Sequence, residues 1–125
     1  MHSEVSGTIL NVGEEQGEAA AMYWHSIFGE DYYLELVNHQ LDEELHLNRI
    51  LIDISAKHAI KTVAANNNFY LNQEDANAHD ILLCVKDGEK KETPIGRGRN
   101  FRFGMKNQEY FFKTQHEMRT IFKDY

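Results

Sequence analysis

Apolar residues recur along this chain with two spacings, which predict helices and short strands. Over about Glu14–Phe28, and again over Asp42–His58, they return every three or four positions, as in a helix that buries one face. Tyr32–Val37 and Thr62–Ala65 are short runs of β-favouring residues, and each predicts a strand. A strand, a helix and a second strand in this order predict a βαβ unit with parallel strands.

The second half of the chain predicts two further helices from their ends. Asn72 or Gln73 is expected to open a helix that ends at Gly88. Its inward face is expected to hold Ala78, Ile81, Leu82 and Val85. Thr114–Glu117 matches the capping box, in which a threonine hydroxyl and a glutamate carboxylate each accept a backbone N–H, and therefore predicts a last helix.

The remaining segments carry weaker signals. Phe101–Phe103 and Glu109–Lys113 flank a polar stretch and predict a β-hairpin. Residues 87–100 contain the only proline and no apolar periodicity, which predicts a flexible surface loop. Residues 1–13 are expected to dock on another part of the protein, and Asp42 is expected to cap the helix that it begins. The predicted fold class is α/β, with residues 1–125 forming a single domain.

Composition narrows the classes of function. The 125 residues carry a formal net charge of −7, which argues against long-range attraction to nucleic acid. One cysteine, Cys84, excludes an internal disulfide and is expected to be a buried, inert thiol. The apolar runs are too short to cross a membrane, and the N-terminus lacks the pattern of a secretory signal. We therefore expect a soluble, cytoplasmic protein without membrane contact.

The segment Lys61–Leu71 is where the sequence predicts a functional site. Ligands and catalytic groups gather at the carboxyl ends of parallel strands, and this strand ends in three consecutive asparagines. The asparagines cannot titrate, and Phe69 can neither bind a metal nor transfer a proton. His39 follows the other strand and is placed to face the same rim, the alternative being an ordinary polar loop residue.

Histidines and the arginines of the glycine-rich loop are the other residues with functional chemistry. The histidines have none of the spacings of known metal motifs and are expected to be surface or half-buried side chains: His2, His25, His39, His46, His58, His79 and His116. Arg97, Arg99 and Arg102 alternate with glycine and phenylalanine, as in segments that contact phosphates or single-stranded nucleic acid, although the chain is otherwise acidic. The alternative for these arginines is a solvated loop.

Four stretches together resemble one protein family. They are Gly29–Leu36, Val63–Leu71, Glu74–Cys84 and Tyr110–Met118. In order and spacing they resemble the later part of the PHP (polymerase and histidinol phosphatase) domain in the C-family alpha subunit of bacterial replicative DNA polymerase III. The resemblance runs from about Glu4 to Tyr125, and the form of the loop Pro94–Gly104 is similar to that of the Bacteroidetes branch.

The resemblance implies a partial, distorted β/α barrel and a degenerate metal site. The family has an Asp-x-His ligand motif where this chain has Asn67 and Phe69, so neither expected ligand is present. The family's remaining metal ligands and the aspartates of nucleotidyl transfer are absent, which implies a catalytically inert scaffold fragment of a DNA-directed DNA polymerase. The alternatives are a residual metal-dependent phosphoesterase or 3′–5′ proofreading exonuclease, and a single-strand nucleic-acid-binding module.

Partners and cofactors follow from the same resemblance. The implied partners are the remainder of the alpha subunit and the proofreading exonuclease subunit, with DNA held by other domains of the parent. No cofactor is expected in this segment, whereas the parent polymerase is expected to use magnesium. Because a partial barrel leaves strand edges uncovered, we also expect the segment to associate with itself.

Overall fold

The computed structural model describes residues 3–125, which form two compact units. The first unit comprises the described residues up to Ala65 together with Met118–Tyr125, and the second comprises Asn66–Glu117. The chain is a mixed α/β protein with five α-helices and one two-stranded sheet among its described residues. In that part of the chain, no helix is both long and apolar enough to cross a membrane.

Two helices open the first unit. α1 spans Glu4–Asn11 and α2 spans Glu14–Phe28. The Ser3 hydroxyl caps α1 by accepting the Ser6 backbone N–H at 3.1 Å. α1 packs on α2 so closely that a Cβ added to Gly17 would lie 2.1 Å from Ile9 Cγ1. The N-terminal segment therefore docks on the chain itself.

The predicted βαβ unit is confirmed. Strand β1 (Tyr33–Val37) and strand β2 (Lys61–Ala65) are parallel, and helix α3 (Asp42–His58) connects them. In the register of the pair, Tyr33 lies opposite Lys61 and Val37 opposite Ala65. The buried apolar residues of the first unit form one cluster, to which α1 and α2 also contribute: Val5, Ile9, Ala21, Leu34, Leu36, Leu47, Ile50, Leu51, Ile54 and Ile60.

The expected cap of α3 was wrong. The N-cap position is Leu41, whose side chain makes no capping hydrogen bond, and Asp42 is already the first helical residue. A carboxylate in the helix cannot reach its own N-terminal N–H groups in the manner of a cap residue. The carboxylate that bonds the chain at this point is Glu44, which accepts the His39 backbone N–H.

In the second unit, a 3₁₀ turn at Gln73–Asp75 leads into helix α4 (Ala76–Asp87). Asn72 and Asp75 form a capping box on the 3₁₀ turn, so the α-helix begins three residues later than predicted. Gly88 ends α4 with a left-handed φ of 67°, and this predicted end is confirmed. The predicted inward face was wrong. Ala78, Ile81, Leu82 and Val85 are exposed, and the helix buries Cys84 instead.

The predicted β-hairpin was also wrong. Phe111 forms an isolated parallel bridge with Tyr70, and Arg102 forms one with Ile95. The two predicted strands therefore pair with earlier parts of the chain rather than with each other. The last helix, α5 (Gln115–Ile121), begins as predicted: Glu117 accepts the Thr114 N–H at 2.7 Å, and the Thr114 hydroxyl accepts the Glu117 N–H at 3.3 Å.

Candidate functional site

The asparagine segment after β2 is organised by backbone pairing within the second unit. The Phe69 N–H donates to the Tyr110 carbonyl at 2.8 Å, and the Phe112 N–H donates to the Tyr70 carbonyl at 3.0 Å. The Asn66 amide adds to this pairing, because its Nδ2 donates to the Phe111 carbonyl at 2.9 Å. The Asn66 side chain therefore stabilises the pairing of this segment with residues 110–112.

The two positions that correspond to metal ligands by resemblance lie on this segment. Asn67 is exposed, and Phe69 is about half exposed, with its ring stacked on His79 at a centroid distance of 5.5 Å. Phe69 also contacts the Tyr110 ring at 5.7 Å. A phenyl ring offers no metal donor, and an amide oxygen is a weaker donor than a carboxylate. Within residues 3–125, no group of three or more His, Cys, Asp or Glu side chains is arranged to hold a metal ion.

Lys113 is a buried residue near this segment that sequence reasoning missed. Its side chain is 1% exposed, and its ammonium donates to the Glu109 carbonyl and lies 3.3 Å from the Glu109 carboxylate. The same ammonium sits 4.2 Å from the centroid of the Phe111 ring, a cation–π contact. The i, i+4 spacing of Glu109 and Lys113 was the available signal, although it falls outside a helix.

His39 belongs to the first unit and is buried, with 1% of its surface exposed. Its Nδ1 lies 2.7 Å from Glu44 Oε1, and its backbone N–H donates to Glu44 Oε2 at 2.6 Å. One carboxylate thus holds both the ring and the backbone after β1. The Asn48 Nδ2 reinforces this turn by donating to the Val37 carbonyl at 2.9 Å. The expectation of a surface or half-buried side chain was therefore wrong for His39, and its predicted rim role stays a prediction.

The other histidines do not form a cluster in the part of the chain that the structure describes. His58 Nε2 lies 2.5 Å from Glu18 Oε1, which Lys57 also contacts at 2.7 Å. Hydrogen bonds from Lys57 and then His58 lower the pKa of Glu18. His25 lies beside the Tyr32 ring, whereas His46 and His116 are exposed. His2 lies outside the described residues.

The three arginines of the glycine-rich loop do not share one environment. Arg97 and Arg99 are exposed, whereas Arg102 is buried. The Arg102 guanidinium donates to both carboxylate oxygens of Asp80, at 2.6 and 2.9 Å, and to the Thr93 carbonyl at 2.8 Å. The paired guanidinium lowers the pKa of Asp80, and the carboxylate raises that of Arg102. Arg102 therefore anchors the loop and does not join Arg97 and Arg99 as an exposed cation.

A partly open cavity of about 290 Å³ lies in the second unit. Its lining includes Tyr70, His79, Asp80, Lys91 and Lys106. This cavity was not predicted, because its lining residues come from four separate stretches without a common motif.

Comparison with known proteins relates the chain to one protein family. A scan against protein-family models found no match. The DNA polymerase III subunit alpha of Borreliella burgdorferi is 33% identical over 110 residues, which are 88% of this chain and 9% of that protein. The same subunit of Thermus aquaticus is 32% identical over 119 residues, 95% of this chain and 9% of that protein. In Treponema pallidum it is 33% identical over 118 residues, 94% of this chain and 10% of that protein.

The chain thus spans about one tenth of the length of the curated relatives that it matches. The match extends over nearly the whole chain, and several bacterial lineages share it. The Bacteroidetes-like form of the loop and the place within a PHP domain stay predictions. This chain is a relative of one segment of the bacterial DNA polymerase III alpha subunit, and the predicted resemblance to that subunit is confirmed.

Proposed function

We propose that this chain serves as a scaffold and interaction segment of a bacterial replicative DNA polymerase alpha subunit, within the later part of a PHP domain. The proposal is supported by relatives named DNA polymerase III subunit alpha, which this chain matches over 88–95% of its length. In this proposal the parent is a nucleotidyltransferase, and its polymerase residues and their magnesium lie outside the segment. The segment itself has no catalytic role.

The observation that carries the inert role is the pair Asn67 and Phe69. Phe69 packs its ring on His79, so this position has an aromatic packing function. Replacing a carboxylate by an amide and an imidazole by a phenyl ring removes the two donors that would bind a divalent cation most tightly here. A metal-dependent phosphoesterase or a 3′–5′ exonuclease that used this motif would lack both donors.

Metal analysis and a nuclease assay test the inert role. Elemental analysis of the 125-residue chain after exposure to Mn²⁺ or Zn²⁺ is expected to find no stoichiometric metal. In the longer subunit proposed to contain it, which holds its magnesium elsewhere, Asn67→Ala is expected to leave the metal content unchanged. Neither the chain nor the subunit is expected to degrade a single-stranded 3′ end. One bound metal per chain that Asn67→Ala removes and the neighbouring Asn68→Ala retains would overturn the proposal.

The proposed partners are the remainder of the alpha subunit and the proofreading exonuclease subunit, while DNA is held by other domains. Apolar side chains on the second unit support a docking role, because Leu71, Leu82 and Val85 are 71%, 65% and 73% exposed. Co-purification of the chain with the remaining part of the subunit is expected, and Val85→Asp is expected to weaken it. Unchanged recovery of the Val85→Asp variant would count against this surface.

Single-strand nucleic-acid binding is a second candidate function for the exposed part of the glycine-rich loop. Arg97 and Arg99 are exposed beside Phe101 and Phe103, which are 48% and 59% exposed, so cations and aromatic rings are both accessible. Fluorescence anisotropy with an oligothymidylate at low salt is expected to detect binding that added salt weakens. Absence of binding at low ionic strength, or equal binding by an Arg97→Ala/Arg99→Ala variant, would exclude it.

A further inference from the structure

Helix α2 exposes apolar and aromatic side chains that the first unit does not cover. Tyr23, Ile27 and Phe28 are 59%, 52% and 54% exposed. Tyr23 and Ile27 are four residues apart and therefore lie on one face of the helix. Trp24 lies beside them and is half-buried, because it also packs on the apolar cluster. Exposed apolar side chains that lie together in this way are typical of a surface that binds another molecule.

Three rings form one continuous surface, which we call the α2 aromatic surface: Tyr23, Trp24 and Phe28. The Tyr23 ring meets the Trp24 ring edge to face, with centroids 5.4 Å apart and an angle of 72° between the planes. The Phe28 ring lies nearly parallel to the Trp24 ring, at 6.0 Å and 16°. Because the faces of aromatic rings are electron-rich, an exposed group of rings attracts a cation.

A carboxylate is fixed at the edge of the α2 aromatic surface. Glu4 of α1 is exposed, and its Oε2 accepts the Trp24 Nε1–H at 2.8 Å. Burial raises the pKa of the Tyr32 phenol and the Glu4 charge raises it further, so the carboxylate also lies near this ring. Among residues 3–125, no lysine or arginine forms an ion pair with Glu4. Its negative charge can therefore bind a cation of another molecule.

The negative charge of the chain is concentrated in the same unit. Twelve of the 20 acidic residues and five of the 13 lysines and arginines belong to the first unit, which therefore carries the whole formal net charge of −7. The second unit has eight residues of each sign and is formally neutral. Since complementary charge steers association, the partner expected for the first unit is basic.

A guanidinium group matches this surface better than an ammonium group does. It is flat and weakly hydrated, so it stacks on the faces of aromatic rings while its N–H groups bind a carboxylate. Each carboxylate oxygen has two lone pairs, so Glu4 can accept further hydrogen bonds beside the one from Trp24. The exposed Ile27 side chain adds an apolar contact for a residue next to the arginine.

We propose that the α2 aromatic surface and the Glu4 carboxylate together bind an arginine side chain, which a basic segment of a partner protein presents next to an apolar residue. The guanidinium stacks on the exposed rings and pairs with Glu4, and the apolar residue packs against Ile27. This site belongs to the first unit, whereas the docking surface and the glycine-rich loop proposed above belong to the second. The proposal therefore depends on neither of them.

Titration of the 125-residue chain with a short synthetic peptide of arginine, leucine and alanine tests this site. Trp24 reports the binding by fluorescence, because it is the only tryptophan of the chain. At physiological ionic strength, where diffuse attraction between exposed charges is screened, a saturable change of the fluorescence is expected. No change with this peptide would overturn the proposal.

Matched peptides identify the group that is bound. Citrulline in place of arginine keeps the shape and removes the charge, and is expected to weaken binding at least about tenfold. Lysine in place of arginine keeps the charge and removes the flat group, and is expected to weaken binding roughly threefold or more. Equal binding of the citrulline peptide would overturn the cation site, and equal binding of the lysine peptide would overturn its assignment to arginine.

A charge variant separates the site from the net charge of the unit. Glu4→Gln keeps an oxygen that can accept the Trp24 N–H but removes the charge, and is expected to weaken the arginine peptide about tenfold. Asp53→Asn removes an exposed carboxylate from α3 of the same unit, and is expected to leave binding unchanged. Equal weakening by the two variants would show that net charge alone attracts the peptide, and would overturn the proposal.

Ring variants locate the binding on α2. Phe28→Ala is expected to weaken the arginine peptide roughly threefold or more, because it removes one exposed ring face. Phe112→Ala removes an exposed ring from the second unit, and is expected to leave binding unchanged. Both side chains are exposed, so both variants are expected to fold, which circular dichroism checks. Equal binding by the two folded variants would overturn the proposal.

Discussion

The first unit is built around a cluster of apolar side chains from two layers, whereas the second unit is built around polar contacts. Leu47 and Leu51 are each 2% exposed in the first unit. Among the described residues of the second unit, Cys84 is the apolar side chain that is buried, and the other buried side chains are those of Arg102 and Lys113. Both of these cations contact a carboxylate of their own unit.

The two units are therefore stabilised by different interactions: apolar burial in the first and hydrogen-bonded ion pairs in the second. Burial of apolar surface is non-directional and does not depend on the charge of side chains, so the apolar cluster of the first unit should tolerate changes of pH. Hydrogen-bonded ion pairs depend on exact geometry and on the charge of both partners. The stability of the second unit should therefore change when a single charged residue is replaced. Its exposed apolar residues are expected to bind another protein surface.

The largest expected effect is the loss of a core leucine from the first unit. Leu47→Ala is expected to lower the free energy of unfolding by about 2–5 kcal/mol, because it removes buried methyl groups and leaves a cavity. Trp24, the single tryptophan, lies in the first unit and reports its unfolding in urea by fluorescence. Leu82→Ala makes the same chemical change at a side chain that is 65% exposed, and is expected to stay within about 0.5 kcal/mol of the parent. Equal effects of the two substitutions would contradict the assigned core.

The next effect is the loss of the loop anchor in the second unit. Arg102→Ala leaves the Asp80 carboxylate without its two donors and frees the Thr93 carbonyl. Amide hydrogen exchange of residues 89–103 is expected to quicken by about tenfold or more, while exchange in α3 stays unchanged. Arg99→Ala removes an exposed arginine from the same loop and serves as the matched control. Equal protection in both variants would show that Arg102 does not anchor the loop.

The same contrast explains how much the sequence could predict. In the first unit, apolar spacing predicted α2, α3 and the parallel pair, because burial against a core produces that spacing. The capping box at Thr114–Glu117 and the glycine stop at Gly88 were also readable, since each depends on a few neighbouring residues. Helix ends and the spacing of buried apolar residues can therefore be predicted from a single sequence.

The tertiary contacts of the second unit escaped prediction because they join distant residues of unlike type. The apolar positions of α4 suggested an inward face, yet the described unit has no layer that covers Leu82 or Val85. The pairing of Arg102 with Asp80 spans 22 positions and has no sequence signature. The bridge between Tyr70 and Phe111 likewise replaced a local hairpin with a long-range contact. The candidate metal positions were located by resemblance, and the cavity was not foreseen.

A smaller effect is expected on acidification of the second unit. Arg102 lowers the pKa of Asp80 in the folded chain, so the folded state holds the proton less tightly than the unfolded state, where the pKa is about 3.9. The stabilisation is therefore complete above the unfolded pKa and is lost as the pH falls below about 4 through the folded pKa. Exchange of residues 89–103 is expected to quicken in that range, after correction for intrinsic rates. The pKa of Asp80 can be measured by following its carboxyl carbon by NMR as the pH is lowered. A midpoint above about pH 3.9 would mean that Arg102 does not lower this pKa, and would contradict the prediction.

The smallest effect on stability is expected at the exposed face of α4. Substitutions there test whether the uncovered apolar residues of the second unit cause the chain to associate with itself. Leu82 and Val85 are 65% and 73% exposed, so Leu82→Ser/Val85→Ser removes apolar surface that the folded chain does not bury. The free energy of unfolding is expected to change by less than about 0.5 kcal/mol for each substitution. Light scattering at high concentration is expected to show self-association of the parent chain and a larger monomer fraction in the variant, because an exposed apolar face gains from being covered. A matched Lys86→Ser/Lys90→Ser variant, which alters exposed polar residues nearby, should associate as the parent does. A monomeric unsubstituted chain, or equal association of the Leu82→Ser/Val85→Ser and Lys86→Ser/Lys90→Ser variants, would show that the exposed face of α4 does not mediate self-association.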